Sequence, residues 1–526
     1  MKNVNDLWTT QYESTWGIAR WFFLRLLGAV GFIAFLSYFV QVDGLVGSDG
    51  IVPVAEYLEQ IRASLAGGGQ ASAFELFTRV PTLLWLSSSD AMISGVCTAG
   101  MAASAALVFG VWPRMMLFIM WGLYLSLATA SGLFMGFQWD TLLLETTLLA
   151  VFLAPSGFLE NRSERVSRVG LVLMVWLLFR LMFMSGVVKL TSGDETWRDL
   201  SAMTYHYWTQ PIPNWTSWWA HQLPTFFHSA ATAATLVLEI AVPLLLFMPR
   251  RARRVGAVLL GVLQLAIIAT GNYGFFNLLA LALCLLALDD APLERLLPVR
   301  LIAWIRGRKW TDSVSPSEKN KFESTFSKAI QSFSQRAPIA IAAAIITLTS
   351  LQMLGEFTQK QLVPEPIHKA YRPFRSLNNY GLFRVMTTER PEILVEGSND
   401  GQNWRTYEFK YKPDHLDERP PQVAPHMPRL DWQMWFAALG ECRSNRWLLQ
   451  FQGKLLQGED AVIELLADDP FGGEPPTYMR TTRWKYQFTT PEQRRETGHW
   501  WRREKVGPYC PPLMLRDGQL SAARGL

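Results

Sequence analysis

The chain has 526 residues, half of them hydrophobic, with 22 Trp and 31 Phe, and a formal net charge of +5. So apolar and aromatic a composition excludes an ordinary soluble globule. The modest, dispersed basic surplus excludes a nucleic-acid footprint and reads instead as orientation charge beside membrane helices.

Several apolar runs approach the roughly 20 residues that span a bilayer as helix. Residues 1–15 are polar. No cleavable signal peptide is expected, because the first apolar run carries Arg20 and Arg25 and no small-residue cleavage site follows it. A first helix is predicted from about Trp16 to Val40. The loop DGLVGSDGIVPVAEYL follows, punctuated by Gly and Pro, and a short amphipathic helix is expected within 55–90, lying in the interface. The second helix, about Ala91–Val111, is ended by Trp112-Pro113-Arg114, and the third covers about Met115–Leu133. GFQWDTLLLETTLLAVFLAP holds a fourth, opened by Trp139 and Asp140 and stopped by Pro155. The fifth, about Val169–Leu190, contains Arg180 and Lys189. An aromatic loop, 191–225, leads to a sixth, about Phe226–Phe247, with Glu239 midway and PRRARR at its end. The seventh and eighth, about Val255–Thr270 and Phe275–Leu288, are separated by GNYGF, which reads as a tight turn. A charged, amphipathic stretch, 289–336, precedes a ninth, Pro338–Leu354.

Arg114 follows the second helix, Arg162, Arg165 and Arg168 the fourth, Arg250, Arg251, Arg253 and Arg254 the sixth, and Arg306, Arg308 and Lys309 the eighth. All these clusters follow even-numbered helices, so the positive-inside rule places them, and the N-terminus, on the cytoplasmic side. The loops after odd-numbered helices, and everything beyond about Gly355, then face a periplasm, lumen or cell exterior. The expected organisation is a multi-pass α-helical membrane bundle over 1–355, a linker over 356–369 and a β-rich extracytoplasmic domain over 370–526. In that last part ILVEGSNDGQNWRTYEFKYK alternates around Asn-Asp-Gly, a hairpin signal, TTRWKYQFTT alternates likewise, and WQMWFAALGECRSNRWLLQFQGKLLQG is helical.

The chemistry-bearing residues converge on the exit of the fifth helix. Lys189 closes an apolar helix. Either it snorkels to the interface, or desolvation makes it a base or nucleophile, with Tyr205, His206, Asp194 and Asp199 near it in sequence. Arg180, Glu145 and Glu239 are charges inside helices, where pairing is expected; Arg180 pairs with Glu145 or with Glu239, or the three line a polar pathway. Among Tyr205, Tyr207 and Trp208, His206 is either a base or part of an aromatic belt. No metal site is expected, since no second His or Cys stands at ligand spacing, and no cofactor fingerprint is present. Asn214-Trp215-Thr216 matches a glycosylation sequon. In TGHWWRREKVGPY, Trp500, Trp501, Arg502 and Arg503 either anchor a protein partner or pack within the domain. Cys97 and Cys284 read as packing residues, and Cys442 and Cys510 are able to pair if their side is oxidising.

FQWDTLLLET, SGVVKLTSGDETWRDLSAMTYHYWTQPIPNW, TGNYGFFNLL, FRSLNNYGLFRVMT with EILVEGSNDGQNW, and TGHWWRRE with GPYCPP together resemble the lipase maturation factor family, over nearly the whole chain and in the right order. The resemblance implies a chaperone-like membrane protein of the secretory pathway that helps secreted clients such as lipases fold and assemble. It would lie in the endoplasmic reticulum in a eukaryote or the cell membrane in a bacterium, with membrane lipid as its other partner and the outward domain touching clients. Over about 30 residues the stretch around Lys189 is also similar to the membrane part of the vitamin K-dependent γ-carboxylase, which implies a second reading: an enzyme pocket with Lys189 as base and Asp140, Tyr205 or His206 beside it.

Overall fold

In a hydrocarbon layer backbone N–H and C=O groups have no water to bond, so apolar runs of this length satisfy them internally, as helix. The structure is a computed structural model that describes residues 16–66, 71–162, 164–306 and 325–523. α1 (Gly17–Phe39), α2 (Asp90–Phe109), α3 (Pro113–Ala130), α4 (Gln138–Ala150) and α5 (Arg168–Thr191) come first. Two short helices, Val54–Ala66 and Ala73–Arg79, occupy the expected amphipathic segment between α1 and α2. The aromatic loop is itself helical in three pieces, a single turn at Glu195–Arg198, α6 (Ala202–Thr209) and α7 (Trp215–His221). α8 (Thr225–Ile240) runs on through a 3-10 turn to Phe247, and α9 (Arg250–Thr270), α10 (Phe276–Leu288) and α11 (Thr325–Thr358) follow.

Among the described residues, seven helices are long and apolar enough to cross a membrane, or up to eight if a bent pair counts as one span. The sequence suggests about nine, and the difference lies in the fourth and eighth. α4 and α10 have 13 residues each, about 20 Å of helix against a hydrocarbon core of roughly 30 Å. α10 is cut at Asp289, where the chain turns by 100° into Asp290–Leu296. Asp289 adopts a φ of 69° with ψ −176°, a backbone region that is costly for any residue but Gly and persists where its surroundings hold it. Its buried carboxylate is shared by Arg250, Arg253 and Arg254. Three arginines of the PRRARR run therefore hold this break. The next residue, Asp290, accepts the backbone N–H groups of Ile18 and Ala19 at 2.9 Å each, satisfying donors that the start of α1 leaves unpaired. Arg308 and Lys309 lie outside the described residues.

The tail carries a five-stranded antiparallel sheet of β1 (Arg390–Ser398), β2 (Arg405–Tyr407), β3 (Tyr478–Phe488), β4 (Trp501–Arg516) and β5 (Gln519–Ala522), in the order β2-β1-β3-β4-β5. The Asn-Asp-Gly turn joins β1 to β2, with Val395 opposite Tyr407. α12 (Arg429–Leu439) and α13 (Arg446–Gln457) lie between β2 and β3 in sequence. Cys442, just after α12, is joined to Cys510 of β4 in a disulfide. The tail packs directly against the bundle. Ser37 and Gln41 at the end of α1 bond Met427 N–H (2.8 Å) and Arg429 N–H (2.9 Å), and Arg375 donates to the carbonyl of Met135 at 3.0 Å.

Close helix packing sets part of this arrangement. Gly100 of α2 lies flat against Phe35 of α1, and a Cβ there would meet the ring at 2.3 Å. Gly100→Val is therefore expected to lower stability by about 1–3 kcal/mol, read as a drop in the melting temperature of the detergent-solubilised protein. Gly95→Ala, where an added Cβ meets nothing within 4 Å, is expected to leave it unchanged.

Candidate functional site

Lys189 does not reach for the interface. It is 2 % exposed, and its ammonium donates to Glu239 Oε2 of α8 at 2.5 Å and to the Ser185 carbonyl at 3.1 Å. A snorkelling lysine needs open water within reach of its stem; here α8 and Trp197, whose ring centroid is 5.1 Å away, close over it. The cause is local and legible. Gly186, one turn earlier, lets α5 and α8 approach until an added Cβ would meet Ile240 Cγ1 at 2.6 Å and Glu239 Cβ at 2.8 Å. At that separation two isolated intramembrane charges become one neutral pair, which removes most of the cost of burying either.

The pair borders a cavity of about 360 Å³. Trp139 of α4, Tyr273 between α9 and α10, Phe383, and Trp432 and Phe436 of α12 also line it, so both the bundle and the tail build its wall. His206 stands behind that wall: its Nε2 is 3.2 Å from the Tyr273 hydroxyl, which donates to Gln210 Oε1 at 2.7 Å. Burial, and after it the charge of Lys189, lowers the His206 pKa to about 4, so near neutral pH it is uncharged and a weak base. Tyr205 is half-buried between two hydrophobic clusters and, like Asp140, is not part of the cavity wall.

Asp140 has another role. It is wholly buried and accepts both arms of Arg429 from α12, at 2.7 and 2.9 Å, and the Tyr124 hydroxyl at 2.5 Å. Arg429 also donates to the Phe134 carbonyl at 2.6 Å and lies 5.3 Å from the ring centroid of Tyr38. A second buried pair lies one helical turn deeper. Arg180 pairs with Glu145, and Glu239 is left to Lys189. The tail completes this site too: Glu145 Oε2 accepts the Tyr380 hydroxyl at 2.7 Å and the Asn378 amide at 3.1 Å, and Arg180 donates to the Asn378 carbonyl at 2.9 Å.

Other expectations are corrected. Trp500 and Trp501 are 8 % and 1 % exposed. Trp501 packs on Phe488 with ring centroids 4.4 Å apart, Arg494 covers Trp500 at 3.6 Å, and both share a cluster with Trp208 of α6 and Trp218 of α7, so both tryptophans pack the tail against those helices and offer a partner little surface. Arg502 remains exposed, while Arg503 donates to the Asp414 carbonyl at 2.9 Å. Asn214 is 1 % exposed and caps α7, accepting from Ser217 N–H at 3.0 Å, so its amide is not presented for glycosylation. The turn GNYGF is more than a turn: Asn272 bonds the Pro421 carbonyl at 2.8 Å and the N–H groups of Val423 and Ala424 at 2.8 and 3.0 Å. Sequence reasoning missed Asn272, Arg429 and Arg390. Arg390, at the start of β1, is fully buried and donates to the carbonyls of Trp208 (3.0 Å) and Pro211 (2.9 Å). Nothing in the flanking residues separates these two arginines from ordinary surface charges; the one available signal was the set of unpaired carboxylates in α4.

These contacts define the class: a polytopic membrane protein whose folded tail closes one end of the helix bundle through buried polar bonds. The family profile described as the lipase maturation factor transmembrane domain matches residues 18–295, and that of the lipase maturation factor C-terminal domain matches residues 376–511. The chain is 36 % identical to Lipase maturation factor 2 of Gallus gallus, covering 95 % of this chain and 82 % of the relative. It is 35 % identical to Lipase maturation factor 2 of Homo sapiens (96 % and 84 %) and 33 % identical to Lipase maturation factor 1 of Bos taurus (96 % and 90 %). No solved structure matches. The chain belongs to the lipase maturation factor family.

Arg429→Met leaves Asp140 buried and unpaired and is expected to cost about 3–5 kcal/mol, whereas Asp140→Leu with Arg429→Met, which removes both charges, is expected to recover most of that loss. Thermal unfolding, with trypsin sensitivity of the tail as a second readout, checks both variants.

Proposed function

We propose that this protein is a membrane-anchored maturation factor that assists the folding and assembly of secreted proteins, with lipases as the client class that its relatives' names indicate. The carrying observation is family membership along 95 % of the chain, through both the membrane part and the tail. The ion pairs favour a scaffold over an enzyme. Lys189 is committed to Glu239, Asp140 to Arg429, and His206 is uncharged behind Tyr273, so none of the three stands as a free base or nucleophile. Client contact falls to the exposed face of the tail, where Arg502 stands, because Trp500 and Trp501 are used inside. The Cys442–Cys510 link stiffens that domain in an oxidising compartment.

The tail lies on the non-cytoplasmic side in this reading, in the endoplasmic reticulum lumen of a eukaryotic host or outside the cell membrane of a bacterium. Two features support it. The ends of α1, α5 and α9 and the start of α4 all bond the tail or border the cavity it closes. The arginines gather at the other end, where Arg25 pairs with Glu160, Arg114 with Glu164 and Arg253 with Asp289, which the positive-inside rule makes cytoplasmic.

Deleting the gene is expected to lower secreted lipase activity several-fold at unchanged transcript level, with rescue by the wild-type chain but not by Arg429→Met. Unchanged activity of every secreted lipase removes the proposal. Protease added to sealed microsomes is expected to spare the tail, and added to spheroplasts to digest it; the opposite pattern inverts the topology.

A further inference from the structure

The cavity beside Lys189 has no part in the maturation role proposed above. Its volume, about 360 Å³, falls in the range of small-molecule sites. It is deep as well as wide: its wall runs along α5 from Leu181 to Lys189, eight residues or about 12 Å of helix. Most of that wall is apolar or aromatic, and the outer rim carries Phe436 and Val385, which are 43 % and 64 % exposed. An apolar chamber at the end of a membrane bundle, with a greasy rim, suits a guest that arrives from the lipid phase.

The polar spot in the chamber selects the guest's head. Lys189 and Glu239 neutralise each other, so neither a carboxylate nor an amine is needed to balance the site, and either would bring an unpaired charge into a buried place. Each member of the pair keeps a spare valence. An ammonium has three donors, and Lys189 spends two, on Glu239 and the Ser185 carbonyl. A carboxylate accepts about four bonds, and among the described residues Glu239 receives the one from Lys189. A hydroxyl fills both with one uncharged atom, accepting from the ammonium and donating to the carboxylate. The rim is also neutral, because Arg384 is paired with Glu356.

We infer that the cavity bounded by α4, α5, α8, α9, α10 and α12 is a binding site for an uncharged lipid alcohol, its hydroxyl on the Lys189–Glu239 pair and its hydrocarbon among Trp139, Phe383 and Trp432. The site is independent of the maturation role and stands or falls by itself. Acylglycerols and sterols both carry this chemistry.

The test uses the full-length protein purified in detergent and a photoactivatable diazirine analogue of 1-oleoylglycerol. Label is expected in peptides containing 136–139, 181–189 and 432–436, and unlabelled 1-oleoylglycerol is expected to compete about tenfold better than oleate. Lys189→Met with Glu239→Met, which removes the charges as a pair, is expected to reduce labelling at least about tenfold, the loss of bonds to charged groups. Ile267→Trp, which fills the wall from α9 and leaves the ion pair intact, is expected to block it at an unchanged melting temperature. Stronger competition by cholesterol assigns the guest to the sterols and upholds the lipid-alcohol site. Label spread evenly over the outer helix faces, equal competition by oleate, or unaltered labelling in both variants overturns it.

Discussion

The structure depends on one constraint: a carboxylate buried in a membrane bundle must find a cation, and α4 carries two. Asp140 and Glu145 are both fully buried. The bundle supplies Arg180 for Glu145, and among the described residues no second bundle arginine pairs with Asp140. The tail supplies that one as Arg429, and it finishes the first site with Tyr380 and Asn378. The two halves of the chain are thus one charge-balanced body. Separating them would strand Asp140 in a low-dielectric site, at a cost of several kcal/mol.

The same logic explains the short helices. α4 is too brief to cross alone, and a short helix brings its polar residues near a bundle end, where the tail reaches them. α10 stops at Asp289, where three arginines converge. Charge also shapes the chamber: with Gly186 letting α5 and α8 close up, the Lys189–Glu239 pair becomes a neutral polar patch in an aromatic wall. The residues that most suggested chemistry in the sequence are largely used to hold the fold.

Periodicity and length made most of the helices readable within a few residues, since a run such as Val169–Leu190 has one way to satisfy its backbone in lipid; the ninth starts at Thr325 rather than Pro338, which lies inside it. The hairpin at Asn399-Asp400-Gly401 and the strand through TTRWKYQFTT were readable from alternation and turn chemistry, and β1, β2 and β3 stand there. The pairing of Arg180 had two candidate partners in the sequence, and distance along the chain does not choose between them. Trp500 and Trp501 show the limit from the other side, because a tryptophan beside arginines has the same sequence pattern in a core as at an interface.

The helical membrane part, the presence of strands in the tail and the family could be read along the chain, because apolar run length, alternation and long motifs are local properties. Only the tertiary structure decided which charges meet: Asp140 with Arg429 across 289 positions, Lys189 with Glu239 across 50. Ion pairing in a buried site depends on ångström distances that folding creates, and no spacing along the chain encodes them.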